Sequence, residues 1–182
     1  MRSFTVTAVV IKRSNLGEAD RLITLFTNTH GKMTVLAKGV RKLTSKRAPA
    51  VELFNLISAQ IVKGRGDLNI LAEVKMIDTF SSWRGQLGRV TVAYQLAEAV
   101  DKLTADHQPH PQVFAILVSS LNHIGSLGAN WAKQLETWLI EIIQELGFWP
   151  KDKPFKGNMV ELVESISSRS YNSPKLLKKL MR

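Results

Sequence analysis

The chain has 182 residues, with 25 Lys+Arg against 15 Asp+Glu and no cysteine, giving a formal net charge of +10. Disulfides, thiolate zinc sites, iron–sulfur clusters and a cysteine nucleophile are therefore excluded, and a hydrophobic fraction of 45% is too high for a disordered basic tail. A chain of this length buries enough surface to fold without a staple, and its excess of cations points to a polyanionic partner.

From Phe4 to about Phe80 the chain is rich in Val, Ile, Thr and Phe and punctuated by turn residues. That pattern predicts strands at Phe4–Lys12, Arg21–Thr27, Lys32–Lys38, Val51–Val62 and Leu68–Thr79. Turn signals lie at Ser14–Gly17, Asn28–Gly31 and Gly64–Asp67, with a basic stretch around Val40–Pro49. Five strands at this spacing fit a small closed barrel, which leaves no exposed sheet edge.

Around Ser81–Gly88 the period becomes helical. Val90, Ala93, Ala97 and Val100 recur at helix spacing, and Asp106–Pro111 breaks the pattern with two prolines. A second helix is expected over Gln112–Ile124. The third carries a stripe of Trp131, Leu135, Trp138, Leu139, Ile142 and Leu146, with Asn130 as N-cap and Gly147 as stop. Both tryptophans of that stripe are read as core. Helical signals return at Met159–Ser167 and at Pro174–Met181, the latter a short basic amphipathic segment read as a docked helix rather than a membrane anchor. The predicted fold is α+β, a five-stranded barrel of the oligonucleotide-binding (OB) type over residues 1–80 followed by a helical domain over 81–182.

Charge divides along the same line. Residues 1–80 carry net +7, residues 81–150 net −2, and residues 151–182 net +5. The densest cluster is Lys38-Gly39-Val40-Arg41-Lys42-Leu43-Thr44-Ser45-Lys46-Arg47, five cations in ten residues with no acid. Such a run is often no more than a solvated loop. Position argues for more, because OB barrels bind ligands across strands 2–3 and the loops joining strands 1–2 and 4–5. The strand assignment puts Lys12 and Arg13 at the first loop, Lys63 and Arg65 around the second, and Lys38 at the end of strand 3. Phosphate neutralisation by such a face gives salt-sensitive binding without sequence preference. Phe4, Phe26, Phe54 and Phe80 are read as core rather than as base-stacking platforms.

Other chemistry finds little support. His107 and His110 are interrupted by prolines, Glu18 and Asp20 read as turn carboxylates beside Arg13 and Arg21, and no Walker loop, G-x-S-x-G or H-E-x-x-H occurs. No catalytic residue, metal site or cofactor is expected. The N-terminus lacks the apolar run and cleavage site of a signal peptide, and no apolar stretch approaches the roughly 20 residues of a membrane span. A cytoplasmic protein without membrane contact is the expectation.

The segments Gly17-Glu18-Ala19-Asp20-Arg21, Leu25-Phe26-Thr27, His30-Gly31-Lys32, Ala37-Lys38-Gly39-Val40-Arg41-Lys42, Ser45-Lys46-Arg47 and Glu52-Leu53-Phe54, in this order, resemble the RecO family of recombination mediators from bacterial DNA repair. Glu145-Leu146-Gly147-Phe148-Trp149-Pro150 resembles the family's segment after its helical core. The resemblance implies a non-enzymatic protein that binds single- and double-stranded DNA and anneals complementary strands. It also implies work with RecR and with the C-terminal tail of the single-stranded-DNA-binding protein in loading RecA, including association with the nucleoid during repair. DNA contact carries over to Lys38, Arg41, Lys42, Lys46 and Arg47; Lys12, Arg13, Lys63 and Arg65 rest on the barrel-face argument. Many members carry a four-cysteine zinc module after this segment, and this sequence has no thiolate to build it. The competing readings are an OB-fold RNA-binding protein and a partner-binding scaffold.

Overall fold

A computed structural model describes residues 3–64 and 68–174. Strands β1 (Ser3–Leu16), β2 (Asp20–Thr27), β3 (Gly31–Ala37), β4 (Leu56–Val62) and β5 (Asn69–Asp78) are followed by helices α1 (Leu87–Leu103), α2 (Pro111–His123), α3 (Trp131–Glu145) and α4 (Met159–Ser167). The described chain divides into two compact units. One holds β1–β5 together with Asp106–Pro111, and the other holds Phe80–Ala105 and the chain from Gln112 onward.

The strands close in the order β1-β2-β3-β5-β4, antiparallel except for the β3–β5 pair. This is the OB topology expected from the strand pattern. Alternation sets the inside: Val6, Ala8, Ile23, Leu25, Val35 and Ile57 are buried in one core cluster. Fully burying each large side chain of this kind contributes about 1.5–3 kcal/mol. Two strand boundaries differ from the sequence expectation by more than one residue. β1 continues four residues past Lys12, because a register shift between Val10 and Lys12 keeps it paired to β2 as far as Leu16↔Asp20. Lys12 and Arg13 therefore lie within the strand rather than in the first loop. At the other boundary, β4 begins at Leu56 instead of Val51. Pro49–Val51 forms a 3₁₀ turn, and Phe54 takes a left-handed φ of 70° before the chain rejoins β1 through Phe54 N–H to the Val10 carbonyl at 2.8 Å.

Phe26 and Lys32 face outward from β2 and β3, yet both are buried. In the same unit, Asp106–Pro111 lies against the start of β3. His107 N–H donates to the Lys32 carbonyl at 2.8 Å, and Lys32 Nζ pairs with Asp106 at 3.5 Å. Gly31 has to be glycine here: its φ is +67°, and an added Cβ would sit 2.1 Å from the Gln108 carbonyl oxygen.

In the helical unit, α1 buries Val92, Ala93, Leu96, Ala99 and Val100, while α3 buries Leu135, Trp138, Leu139, Ile142 and Ile143. The α3 stripe is core as expected except at its two ends, where Trp131 and Leu146 are only half-buried, Leu146 standing at the C-cap just past the helix. Asn130 stands at the N-cap of α3 without a side-chain cap bond. The helix stops as expected, with Gly147 at φ +80°. Asn158 does cap α4, its Oδ1 accepting from Val160 N–H at 2.9 Å. After α4, Tyr171 is buried with its hydroxyl donating to the Gln95 carbonyl at 2.7 Å. Burial pushes the Tyr171 hydroxyl up, so it remains a neutral donor. The helix expected at Pro174–Met181 falls almost entirely outside the described residues.

Candidate nucleic-acid interface

Three chain segments meet at one end of the barrel: the β1–β2 turn, the Lys38–Ala48 loop after β3, and the start of β5. Their junction is made of hydrogen bonds. Gly39, at φ +66°, donates its N–H to Asp20 Oδ1 at 2.7 Å. Arg41 donates its N–H to the Ala19 carbonyl at 2.9 Å and its guanidinium to the Gly17 carbonyl at 2.7 Å. Arg47 reaches back across the loop to the carbonyls of Leu71 at 3.0 Å and Ala72 at 3.3 Å, and also to that of Lys38. Val40 and Ala48 tuck into the barrel core beneath.

The loop so held surrounds an open cleft of about 650 Å³ whose lining includes Asp20, Lys38, Lys42, Thr44, Lys46 and Arg47. Among the described residues, Lys38, Lys42 and Lys46 are exposed and make no ion pair. Asp20 is the one acid in that lining, and it is already engaged by Gly39. The cleft is therefore cationic, flexible where the lysine stems are, and fixed where the arginines grip backbone. An arginine fork suits the second task because its donors are pre-organised in a plane.

Beside the loop, the outer face of β2–β3 carries register-aligned rows. Lys12, Thr24 and Thr34 form one row, with the two threonine hydroxyls 3.3 Å apart. Ser14, Leu22, Leu36 and Ile70 form the next. Lys63 follows β4 directly, and the pairings Val62↔Ile70 and Leu36↔Ile70 bring that strand end beside the end of β3. Exposed Lys12 and Lys63 thus flank the rows and the loop.

Arg13 behaves differently. It pairs with Ile23, on the inward parity of β1, and its guanidinium forms an ion pair with Glu52. The same carboxylate accepts from Arg21 at 3.1 Å, while Arg21 Nε reaches Asn15 Oδ1 at 3.3 Å. Glu52 therefore joins two arginines at the barrel mouth. Arg65 lies outside the described residues. Of the nine basic positions named from sequence, five gather around the loop, two flank it, and Arg13 is spent on Glu52.

Sequence reasoning passed over Glu52 as a clamp and Asp20 as the anchor of Gly39. The Arg13/Arg21/Glu52 combination carried a signal, since an acid alone in a cationic neighbourhood is expected to be paired. The phenyl rings provide no open stacking platform at this end. Phe26, Phe54 and Phe80 are buried, and Phe4 stacks on His30 with ring centroids 4.6 Å apart. Among the described residues no cluster of three or more His, Asp or Glu is placed to hold a metal ion, and no helix is long and apolar enough to cross a membrane.

Comparison with known proteins agrees with this layout. Residues 1–80 match the family profile described as "Recombination protein O N terminal", and residues 84–151 match "Recombination protein O C terminal". Relatives named "DNA repair protein RecO" include one from Roseiflexus sp. (strain RS-1), 34% identical over 150 residues, which cover 82% of this chain and 52% of that protein. Another, from Anaeromyxobacter sp. (strain K), is 33% identical over 147 residues, covering 80% of this chain and 58% of the relative. A third, from Cutibacterium acnes, is 30% identical over 156 residues, covering 82% and 63%. The chain spans about half the length of the curated relatives it matches. Both profiles fall in order along one chain, the first on the barrel and the second on the helices, and the chain belongs to the recombination protein O family.

Proposed function

We propose that the protein is a non-enzymatic mediator of DNA repair and homologous recombination that holds DNA strands on the loop end of its barrel. The observation that carries this reading is the cationic cleft at that end, pinned by Asp20, Arg41 and Arg47 and lined by exposed lysines. Lys38, Lys42 and Lys46 contact phosphates there, with Lys12 and Lys63 extending the track across the β2–β3 face. Binding releases counterions and is therefore salt-sensitive and indifferent to sequence. Neutralising two backbones at once lowers their mutual repulsion, so complementary bases pair without ATP or a metal ion. Arg41 and Arg47 position the loop, and Arg13 stabilises the barrel mouth through Glu52.

Recruitment belongs to the helical unit. A cleft of about 510 Å³ lies there among α1, α3 and α4, lined by Trp131, Leu135, Leu139 and Met159 together with one cation, Lys133, and one acid, Glu136. Its apolar walls suit the hydrophobic residues of the single-stranded-DNA-binding protein's C-terminal tail, with Lys133 the lining residue that faces the tail's acids. RecR and the RecA-loading step are the further partners, in the bacterial cytoplasm at sites of repair on the nucleoid.

The test is annealing of two complementary dye-labelled strands, followed by energy transfer with and without the protein. Acceleration in the absence of nucleotide and in the presence of chelator is expected. No acceleration, with structured RNA bound at least tenfold more tightly than DNA, would overturn the proposal in favour of RNA binding.

A further inference from the structure

The basic loop handles its apolar residues unevenly. Val40 and Ala48 are drawn into the barrel core, whereas Leu43 is fully exposed, at 107% of its reference accessibility. Leu43 is not on a loose strand of chain. It occupies the second position of a turn closed by Ser45 N–H to the Lys42 carbonyl at 2.9 Å, and a preceding turn is closed by Lys42 N–H to the Gly39 carbonyl at 3.2 Å. The Arg41 and Arg47 bonds hold both ends of this segment to the barrel. A scattered surface leucine ordinarily needs no explanation. This one stands at the tip of a secured turn, with Arg41 and Lys42 before it and Lys46 after it.

Cations on both sides would bring a phosphate chain against that tip, and an apolar side chain delivered to a nucleic acid has one apolar place to go, the base stack. Proteins that kink or open nucleic acids do this with Leu, Ile, Met or Phe wedges between base steps. The buried phenylalanines leave the loop end without an aromatic platform, and among the aliphatic side chains there Leu43 stands out, fully exposed where Leu16 at the end of β1 is 43% exposed. We propose that Leu43 is a wedge that inserts between neighbouring bases of the strand held by Lys38, Lys42 and Lys46. This inference rests on the DNA-binding reading and adds a base contact to what is otherwise a phosphate site. Unstacking the held strand frees base edges to meet a complementary strand, so the wedge serves annealing rather than affinity.

The experiment uses single-stranded DNA carrying 2-aminopurine at each of several positions in turn, with binding followed in parallel by anisotropy. Wild-type protein, Leu43→Ala and, as a control at the far end of β5, the exposed Ile77→Ala are compared. Wild type and Ile77→Ala are expected to brighten 2-aminopurine at one or more positions. Leu43→Ala is expected to lose at least about half of that rise while keeping an unchanged salt slope, since no phosphate contact is lost. An equal rise with Leu43→Ala overturns the wedge but leaves DNA binding standing. Failure of wild type to bind DNA at all overturns the binding reading and the wedge with it. Leu43-dependent binding to phosphatidylglycerol vesicles, with no Leu43-dependent change in 2-aminopurine, overturns the wedge and assigns the residue to a lipid surface.

Discussion

The barrel's loop end and the anchor on α1 of the helical unit use the same kinds of groups in opposite proportions. At the loop end, Lys38, Lys42, Lys46 and Arg47 line one cleft with a single acid, Asp20, which a backbone amide already occupies. On α1, by contrast, the one carboxylate of Glu98 is met from four directions. It accepts from Asn172 N–H at 3.0 Å, from Ser173 N–H at 2.6 Å and from the Ser173 hydroxyl, and it pairs with Lys102 at 3.5 Å. A matched cluster spends its charge on the fold, whereas an unmatched one keeps charge in reserve for a polyanion. Within the unmatched cluster a second division appears, since the arginines are committed to backbone carbonyls and the lysines are not.

The strongest way to break this division is at Arg47. Arg47→Ala removes donors to three carbonyls, and losing such charge-assisted bonds costs about 2 kcal/mol of stability, measured by urea unfolding. Because the loop then carries several lysines out of register, the log–log salt slope of single-strand binding should fall by about 2, well beyond the roughly 0.7 of one contact. Arg47→Lys separates the roles further. It restores charge without the planar fork, so binding should stay weak; full recovery would make residue 47 a simple phosphate contact.

Next in size is the matched cluster. Burial alone pushes the Glu98 carboxyl up, but the Ser173 hydroxyl, the two amides and Lys102 outweigh it and hold the group below its usual range. The unfolded chain therefore binds a proton more readily than the folded one. The resulting stability is fully present above the ordinary glutamate pKa of about 4.3 and is lost as pH falls through the lower folded value. Glu98→Gln should cost about 1–2 kcal/mol at pH 7 and flatten the acid limb of the unfolding curve, with DNA binding unaltered.

Glu52→Gln is a smaller probe, because its ion pairs are partly exposed and such pairs contribute about 1 kcal/mol or less. A modest fall in unfolding midpoint is expected, eased by added salt as Arg13 and Arg21 are left facing each other. The smallest structural effect is expected at Lys42→Ala, with an unchanged midpoint and a salt slope shallower by about 0.7.

Much of this was legible in the residues. Strand alternation and turn spacing identify the barrel, because period 2 follows directly from the pleat. Met159–Ser167 is α4 to the residue, since capping and apolar spacing agree there. What local pattern does not carry is where a side chain's hydrogen bonds go. Arg47 and Lys46 are adjacent and look equivalent in sequence, yet one reaches two carbonyls of the distant strand β5 and that of Lys38, and the other faces solvent. The extension of β1 through Lys12 and Arg13 was hidden for a similar reason. It depends on a register shift against β2, which no run of polar residues announces. Trp131 shares the α3 periodicity but lies at the first turn, where the helix face has begun to leave the core, so it borders clefts instead of filling one.

The most direct measurement is the affinity for single-stranded DNA across a salt series, comparing wild type with Lys38→Ala/Lys42→Ala/Lys46→Ala at equal folding stability. If these lysines hold the phosphates, binding weakens and the log–log slope becomes shallower by about 2. An unchanged slope in a stably folded triple variant would contradict the assignment and move the DNA site off the loop.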